Sequence, residues 1–265
     1  MDIDDQVWLV TGASSGIGRA VAGALARRGA RVALAARSAP LVQQAAAELS
    51  AGGAQAIAVP MDVCSDAAVA SGIERMLAAW GRIDGVVNLA GNGGTLARWS
   101  DTSTHDTQAM FDVHVLGAER VLRAALPALQ RQRRSVVVNI ASTVAWVPMP
   151  GAAAYSAAKA AVLALSDTWR AELAPWGVDV RVFSPPHTCT ESGLAWPLPL
   201  PRIFEPQWVA DTFVQWLQRD GVRATPGGNG ALLALQRVSP ALARRIMQRI
   251  GFEALRRVEN AAARR

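Results

Sequence analysis

The amino-acid sequence predicts an α/β fold built on a doubly wound parallel sheet of about seven strands. Short apolar or β-branched runs alternate with longer segments of helical periodicity, which is the pattern of repeated βαβ units. The 265 residues are 51% apolar, enough to bury a full core as a single domain. Right-handed crossovers leave a crevice at the carboxyl ends of the strands, so motifs at those ends are the candidates for binding and catalysis.

The predicted strands lie near residues 7–11, 31–36, 55–59, 84–88, 135–140, 178–183 and 222–225. The predicted helices fill the intervals, near residues 16–28, 40–51, 66–80, 105–131, 153–174 and 206–219. Two regions leave this alternation, the proline-rich stretch 185–201 and the chain after Pro226. We therefore predict one α/β domain over residues 1–225 and a basic helical extension over residues 226–265.

The positive charge is concentrated in that extension. The formal net charge is +6, and ten arginines but only three acidic residues lie between Arg219 and Arg265. No basic motif interleaved with aromatic residues is present, so we expect no nucleic-acid partner. The acidic start Met1–Asp5 is unlike a signal peptide, and Cys64 and Cys189 form neither a disulfide framework nor a metal-ligand cluster. These features predict a cytoplasmic protein without a metal site.

A glycine-rich turn follows the first predicted strand and opens the first predicted helix. Small residues allow the backbone to approach a pyrophosphate, and the free N–H groups at the helix N-terminus favour its negative charge. The strand, turn and helix together are the context that a dinucleotide site requires. The residues predicted to hold the phosphates are Gly12, Ser14, Ser15, Gly16, Ile17 and Gly18.

The end of the second predicted strand indicates which dinucleotide binds. A carboxylate there would bind the ribose 2′-hydroxyl of NAD, whereas an arginine pairs with the 2′-phosphate of NADP. Arg37 stands at this point, and no acidic residue occurs between Val32 and Pro40. We therefore predict NADP(H) as the cofactor; the alternative is that Arg37 is a solvated charge.

Two further strand ends are predicted to contact the adenine and to line the path of the cofactor. The residues are Asp62 and Val63 after the third strand, and Asn88, Ala90 and Gly91 at the end of the fourth. Taken alone, both are also compatible with ordinary loop chemistry, with Asp62 as a cap for the helix at 66–80.

Tyr155 and Lys159 are the only tyrosine and the only lysine in the chain. Four residues apart on a predicted helix, their side chains share one face. A cation close to a phenol favours the phenolate and lowers a pKa that is otherwise near 10, which suits proton transfer. Ser142, at the end of the fifth predicted strand, could hold a substrate carbonyl oxygen at the same edge of the sheet.

These motifs together resemble the short-chain dehydrogenase/reductase family in its NADP-preferring form, over roughly residues 5–220. The resemblance implies a Rossmann-like fold, a homodimer or homotetramer, and reduction of a carbonyl by hydride transfer. It implies that Tyr155 supplies the proton, that Lys159 binds the nicotinamide ribose and that Ser142 orients the substrate. It also implies a substrate loop at about 190–206.

The sequence departs from the family pattern at two places in the site. His114 stands where the family has an asparagine that helps to hold a proton-relay water, and its side chain titrates near neutrality. A core histidine without this role is an equal alternative. Pro185 and Pro186 replace the usual Pro-Gly, and the resemblance then assigns Pro185, Thr188 and Thr190 to the nicotinamide end of the cofactor.

The leading functional hypothesis is an NADPH-dependent reductase of a ketone or aldehyde, or the reverse alcohol dehydrogenase. Trp196 and the leucines of the loop favour an apolar substrate, unless they only pack on the core. One alternative is a 3-oxoacyl-[acyl-carrier-protein] reductase whose acidic partner docks on Arg131, Arg133, Arg134 or Arg170. Another is an NADP-binding regulatory protein with little turnover.

Residues Ala241–Val258 of the extension form a basic amphipathic helix by periodicity. We favour a cap that buries one face against the core. The alternative is contact with an anionic membrane or with a partner through residues 239–265.

Overall fold

The computed structural model describes residues 2–219 and 221–263, which include a parallel seven-stranded sheet in the order β3-β2-β1-β4-β5-β6-β7. The strands are β1 (Val7–Thr11), β2 (Arg31–Ala36), β3 (Ala56–Pro60), β4 (Gly85–Asn88), β5 (Ser135–Ile140), β6 (Val178–Phe183) and β7 (Arg223–Ala224). The order reverses between β1 and β4, which opens the crevice of a doubly wound fold there. The predicted fold class is confirmed.

Helices cover both faces of the sheet. They are α1 (Gly16–Ala26), α2 (Ala39–Ala51), α3 (Asp66–Trp80), α4 (Thr104–Phe111), α5 (Gly117–Leu129), α6 (Ala153–Leu173), α7 (Glu191–Leu194), α8 (Pro206–Leu217), α9 (Asn229–Val238) and α10 (Pro240–Ala262). One core joins Trp8 and Val10 to Phe213 of α8, and the opposite core joins Leu9 and Val86 to helices α3 and α5. Because both sheet faces are covered, the central strands are apolar throughout rather than alternating.

The prediction of a single helix over residues 105–131 is wrong for the middle of this range. A π-helical turn, Asp112–Leu116, separates α4 from α5 and holds the buried His114. A π turn inserts an extra residue into the helix and re-aims the side chains that follow it. The 3.6-residue periodicity of the sequence does not report such an insertion.

The helix at residues 66–80 is capped by Ser65 and not by Asp62. The Ser65 hydroxyl accepts a hydrogen bond from the Ala68 N–H at 3.2 Å. The Asp62 carboxylate accepts instead from the N–H of Cys64, at 2.9 Å. Asp62 therefore shapes the loop that follows β3.

The C-terminal residues form two helices, α9 and α10, of which only the second was predicted. The inner face of α10, with Ala243, Met247 and Leu255, packs against Met149 and Trp196. This packing fits the predicted cap. None of the helices in the described residues is both long and apolar enough to span a bilayer.

Candidate active site

A cleft of about 1480 Å³ lies at the carboxyl ends of the strands. It brings together most of the predicted site residues, namely Gly12, Ser14, Ser15, Gly16, Ile17, Arg37, Asp62, Val63, Ala90, Gly91, His114, Ser142, Tyr155, Lys159, Pro185, Thr188 and Thr190. Gly18 and Asn88 lie behind its wall. Among the residues that the structure describes, no cluster of side chains could hold a metal ion.

The glycine-rich turn forms a cradle at the start of α1. Gly12 and Gly16 have φ angles of +69° and +54°, which side-chain-bearing residues rarely adopt. Gly18 lies so close to the carbonyl of Gly12 that a Cβ atom would come within 2.2 Å of its oxygen. Ser15, at the N-cap, makes no side-chain hydrogen bond to the helix. The first N–H groups of α1 are thus free of a side-chain cap, which fits a bound pyrophosphate.

Arg37 follows β2 directly and lines the cleft with an exposed side chain. Among the described residues, no carboxylate pairs with its guanidinium. Arg31, at the start of the same strand, does have a carboxylate partner, because its guanidinium contacts Asp5 at 2.9 Å. The cleft therefore presents, directly after β2, a guanidinium that no carboxylate of the described residues neutralises.

Helix α6 presents Tyr155 and Lys159 to the cleft from its first two turns, four residues apart as predicted. The Lys159 ammonium donates a hydrogen bond to the carbonyl of Ile140 at 2.7 Å and lies 5.6 Å from the centre of the Tyr155 ring. Ser142, which follows β5, lies on the same cleft wall, close enough to the Tyr155 hydroxyl to lower the pKa of Tyr155. Helix α6 and the carboxyl end of β5 thereby converge on one phenol.

The pKa of Tyr155 is not lowered in the protein alone, contrary to the expectation from its spacing to Lys159. Burial raises this pKa to about 12, against a smaller opposing effect of the nearby Ser142 hydroxyl. Burial also lowers the pKa of Lys159 to about 7, so the lysine carries only part of its charge at neutral pH. Tyr155 is consequently protonated at neutral pH, which is the state of a proton donor.

His114 packs edge-on against the Tyr155 ring, with the ring centres 5.5 Å apart. Its Nε2 lies 2.8 Å from the carbonyl oxygen of Asn92, and since a carbonyl only accepts, Nε2 carries the hydrogen. Gly91, at φ +113°, leaves room for this ring, because a Cβ there would lie 2.3 Å from its Cε1 atom. A side chain at position 91 would displace the histidine.

The expected titration of His114 near neutrality is not what the structure supports. Burial, and then the charge of Lys159, lower the pKa of His114 to about 3, despite the opposing hydrogen bond to Asn92. The imidazole is therefore neutral throughout the physiological range. Its Nδ1 atom is an acceptor that has no partner among the described protein atoms.

A small cavity lies behind the cleft, between His114 and Lys159. Its water-accessible volume is about 10 Å³, close to what one water molecule needs. Asn88 and Asn139 also line it, and their side chains are hydrogen-bonded to each other at 2.9 Å. The Asn88 Oδ1 atom, like His114 Nδ1, is buried without a protein partner. The cavity thus offers unsatisfied acceptors and one ammonium donor to a single water.

We expect His114→Asn to make the protein less sensitive to acid. The pKa of His114 is about 3 in the folded state, against an ordinary histidine pKa of 6.5, so the unfolded state binds the extra proton between these pH values. The histidine's stability contribution is complete above pH 6.5 and is lost as the pH falls toward 3. Between pH 7.5 and 4.5 the wild type should lose about 2–3 kcal/mol more than the variant.

Denaturant unfolding of both proteins at the two pH values measures this difference. The matched control is His105→Asn, which changes an exposed histidine on α4 and should leave the pH dependence unaltered. Equal acid sensitivity of wild type and His114→Asn would show that the buried imidazole does not resist protonation.

The segment after β6 closes the cleft from the side of the substrate loop. Thr190 caps α7 by accepting a hydrogen bond from the Gly193 N–H at 3.0 Å, and its methyl group contacts Gly16. The Thr188 hydroxyl donates to the carbonyl of Pro186 at 2.7 Å. Pro186 is thus accommodated in an ordered turn, which keeps Pro185, Thr188 and Thr190 on the cleft wall.

Sequence reasoning missed much of the apolar wall beside Tyr155. Trp196 packs edge-on on the Tyr155 ring at 5.5 Å, and its indole N–H donates to the carbonyl of Gly94 at 2.9 Å. The remaining wall residues are Met110, Val144, Met149, Leu198, Leu200, Leu232, Met247 and Ile250. Met247 and Ile250 were predicted to share a helix face, but no sequence signal indicates that this face borders the cleft.

Comparisons with known proteins agree with this geometry. The family described as short chain dehydrogenase matches residues 6–196. A 3-oxoacyl-[acyl-carrier-protein] reductase from Synechocystis is 36% identical over 229 residues, covering 83% of this chain and 91% of the relative. A cyclopentanol dehydrogenase from Comamonas is 33% identical over 183 residues, covering 69% and 73%.

A solved structure extends the likeness to three dimensions. The 3-ketoacyl-(acyl-carrier-protein) reductase from Brucella melitensis, in complex with NADH, has a TM-score of 0.75 and 28% identity. The match covers 80% of this chain and 90% of that protein. Fold and relatives together define a nucleotide-binding oxidoreductase with a Rossmann-like sheet. The chain belongs to the short-chain dehydrogenase family.

Proposed function

We propose that this protein reduces an apolar ketone or aldehyde to the alcohol, with NADPH as the hydride source. The observation that carries the proposal is the convergence of Ser142, Tyr155 and Lys159 on one wall of a cleft that is apolar beside the Tyr155 ring. The test is NADPH-dependent turnover of a panel of apolar carbonyl compounds.

In this proposal Ser142 and Tyr155 hold the substrate oxygen and Tyr155 releases its proton to it. The cofactor supplies the hydride when bound; the glycine cradle, Asp62 and Val63 would hold its adenosine half. In the same proposal Lys159 would bind ribose hydroxyls and stabilise the phenolate that forms. The unpartnered Nδ1 atom of His114 supports a further role, in which it would orient a water in the small cavity and a proton would return to Lys159 through that water.

The unpaired Arg37 supports NADP(H) over NAD(H). A guanidinium binds a phosphate through charge-assisted hydrogen bonds, whereas the carboxylate that would accept from the 2′-hydroxyl of NAD is missing from this strand end. The relative from Brucella melitensis was solved with NADH, so the family likeness itself does not decide between the two cofactors.

We expect Arg37→Ala to lower kcat/KM for NADPH by about 10–100-fold while changing that for NADH less than about twofold. Loss of one charge-assisted pair with the 2′-phosphate is the physical reason. Steady-state kinetics with both cofactors measure it. Arg131→Ala, an exposed arginine before β5, is the control and should change neither value. Equal losses with both cofactors would contradict the assignment of Arg37 to the phosphate.

The pocket favours a substrate with an uncharged, apolar body. Beyond Tyr155 its wall is built from methionine, leucine, isoleucine and tryptophan side chains contributed by the substrate loop and by α9 and α10. Burying a charged substrate against this wall would leave the charge unpaired.

A 3-oxoacyl-[acyl-carrier-protein] reductase is the second candidate, favoured by the names of two relatives. The arginines first considered for docking the carrier do not support it. Arg131, Arg133 and Arg134 precede β5, at the opposite end of the sheet from the cleft. Arg170 lies fifteen residues after Tyr155 on α6, about 22 Å along the helix, and pairs with Asp167.

The third hypothesis, a regulatory NADP-binding protein, is disfavoured by the intact arrangement of Ser142, Tyr155 and Lys159. A cytoplasmic location and a homodimeric or homotetrameric state remain predictions from the sequence and its family. So does the division into a domain over residues 1–225 and an extension over residues 226–265.

A further inference from the structure

The outer face of α10 is unusual for a helix on a protein surface, because it mixes large apolar side chains with arginines. Leu242, Ile246 and Phe252 leave 46%, 39% and 49% of their surface exposed. Arg245 and Arg249 lie on the same side of the helix, between these residues by the 3.6-residue period. The inner face is already used, since it packs against the core.

Several arginines at the end of α9 and on α10 have no carboxylate partner among the described residues. Between residues 221 and 252 the sequence contains no acidic residue. In the described part of the chain, Arg237, Arg244, Arg245 and Arg249 pair with no carboxylate, whereas Arg256 and Arg257 both pair with Glu253. The first three turns of α10 and the end of α9 therefore form an uncompensated positive surface, which attracts anionic partners.

An exposed tryptophan lies beside the same helix. Trp99 leaves 79% of its surface exposed, and it follows Arg98, whose guanidinium pairs with Glu259 of α10 at 2.7 Å. Tryptophan is favoured at the boundary between water and a lipid phase, because its ring is apolar and its N–H is polar. We call Trp99, Leu242, Arg245, Ile246, Arg249 and Phe252 the outer α10 face. The other two unpaired arginines, Arg237 at the end of α9 and Arg244 on the flank of α10, border it.

We propose that the outer α10 face binds the surface of an anionic lipid bilayer. Lipid headgroups would pair with the arginines, while Trp99, Leu242, Ile246 and Phe252 enter the boundary of the acyl chains. A second copy of this chain is a poor occupant, because a two-fold interface would set this positive surface against an identical positive surface.

Such docking would place α10 between the bilayer and the active-site cleft. Met247 and Ile250, on the inner side of α10, line the cleft beside Tyr155, while the outer side would contact the bilayer. An apolar substrate dissolved in the bilayer would then have a short path to the pocket. The docking itself does not depend on the reaction proposed above, because none of the residues of the outer α10 face lines the cleft.

The test is co-sedimentation of the full chain with phosphatidylcholine vesicles that contain about 30% phosphatidylglycerol, compared with phosphatidylcholine alone. We expect binding to the anionic vesicles only, and loss of this binding at high salt. A triple variant should reduce the partition coefficient by about tenfold or more; it combines Arg244→Gln, Arg245→Gln and Arg249→Gln. Leu242→Ser with Ile246→Ser should reduce it independently of salt.

The matched control removes three exposed arginines elsewhere, by Arg75→Gln, Arg131→Gln and Arg133→Gln, and should bind as the wild type does. NADPH oxidation with a small water-dissolved ketone should be unchanged in all variants, which separates this proposal from the reductase proposal. Absent or equal binding to both vesicle types would overturn the docking. Binding of purified acyl carrier protein, lost with the same three arginines and without vesicle binding, would assign the outer α10 face to an acidic protein.

Discussion

Replacing Tyr155 by phenylalanine is expected to lower kcat by about 10²–10⁴-fold. The substitution removes only the phenolic oxygen, which is the proton donor of the proposed reaction and the neighbour of Ser142. The ring would keep its edge-on contacts with His114 and Trp196, so the cleft should keep its shape. NADPH affinity, measured by fluorescence titration, should change little.

The control for this variant is Thr168→Val, which removes an exposed hydroxyl from the same helix α6. Its kcat should equal that of the wild type. Wild-type activity in Tyr155→Phe would require a different proton donor. A loss of NADPH binding equal to the loss of kcat would mean that the hydroxyl serves the cofactor and not the transfer of a proton.

Lys159→Met is expected to abolish most turnover and, at the same time, to stabilise the fold. Lys159 is 5% exposed and its ammonium has a single hydrogen bond, to the Ile140 carbonyl, so its charge is costly to bury. The pKa of Lys159 is about 7 in the folded state, against an ordinary lysine pKa of 10.5, so the unfolded state holds the proton between these pH values. Wild-type stability should therefore rise as the pH increases from about 7 to 10.5.

Methionine has nearly the same volume as the lysine stem and carries no charge, so the variant lacks this penalty. At pH 6 we expect a Tm about 2–6 °C above that of the wild type, with the difference shrinking toward pH 10. Calorimetry across this range provides the measurement. Arg75→Met, on the exposed side of α3, is the control and should leave the Tm unchanged. A variant that is inactive but not stabilised would indicate that the ammonium is well solvated.

The strands and the phosphate cradle could be predicted from sequence because their signals are local. Continuous apolar runs indicate buried parallel strands, and the glycines of the first turn are required by backbone angles at Gly12 and Gly16. The proximity of Tyr155 and Lys159 follows from helix geometry alone. The convergence of Ser142 on this pair follows from the common direction of parallel strands.

The electrostatic state of the site could not be predicted in the same way. Spacing places Lys159 near Tyr155, but the pKa values depend on burial, which raises one and lowers the other. The neutral state of His114 likewise follows from a π turn that buries it. The contribution of α10 to the pocket arises from long-range packing on Met149 and Trp196, which no local pattern reports.

The rate of NADPH oxidation by the wild-type protein, measured with a panel of apolar ketones and aldehydes and with a carrier-bound 3-oxoacyl group, tests the central claim most directly. We predict turnover of at least one free apolar carbonyl, with alcohol formed in proportion to NADPH consumed. Turnover of the carrier-bound compound alone would instead identify the second candidate. Tight binding of NADPH without oxidation in the presence of any of these compounds would contradict the reductase.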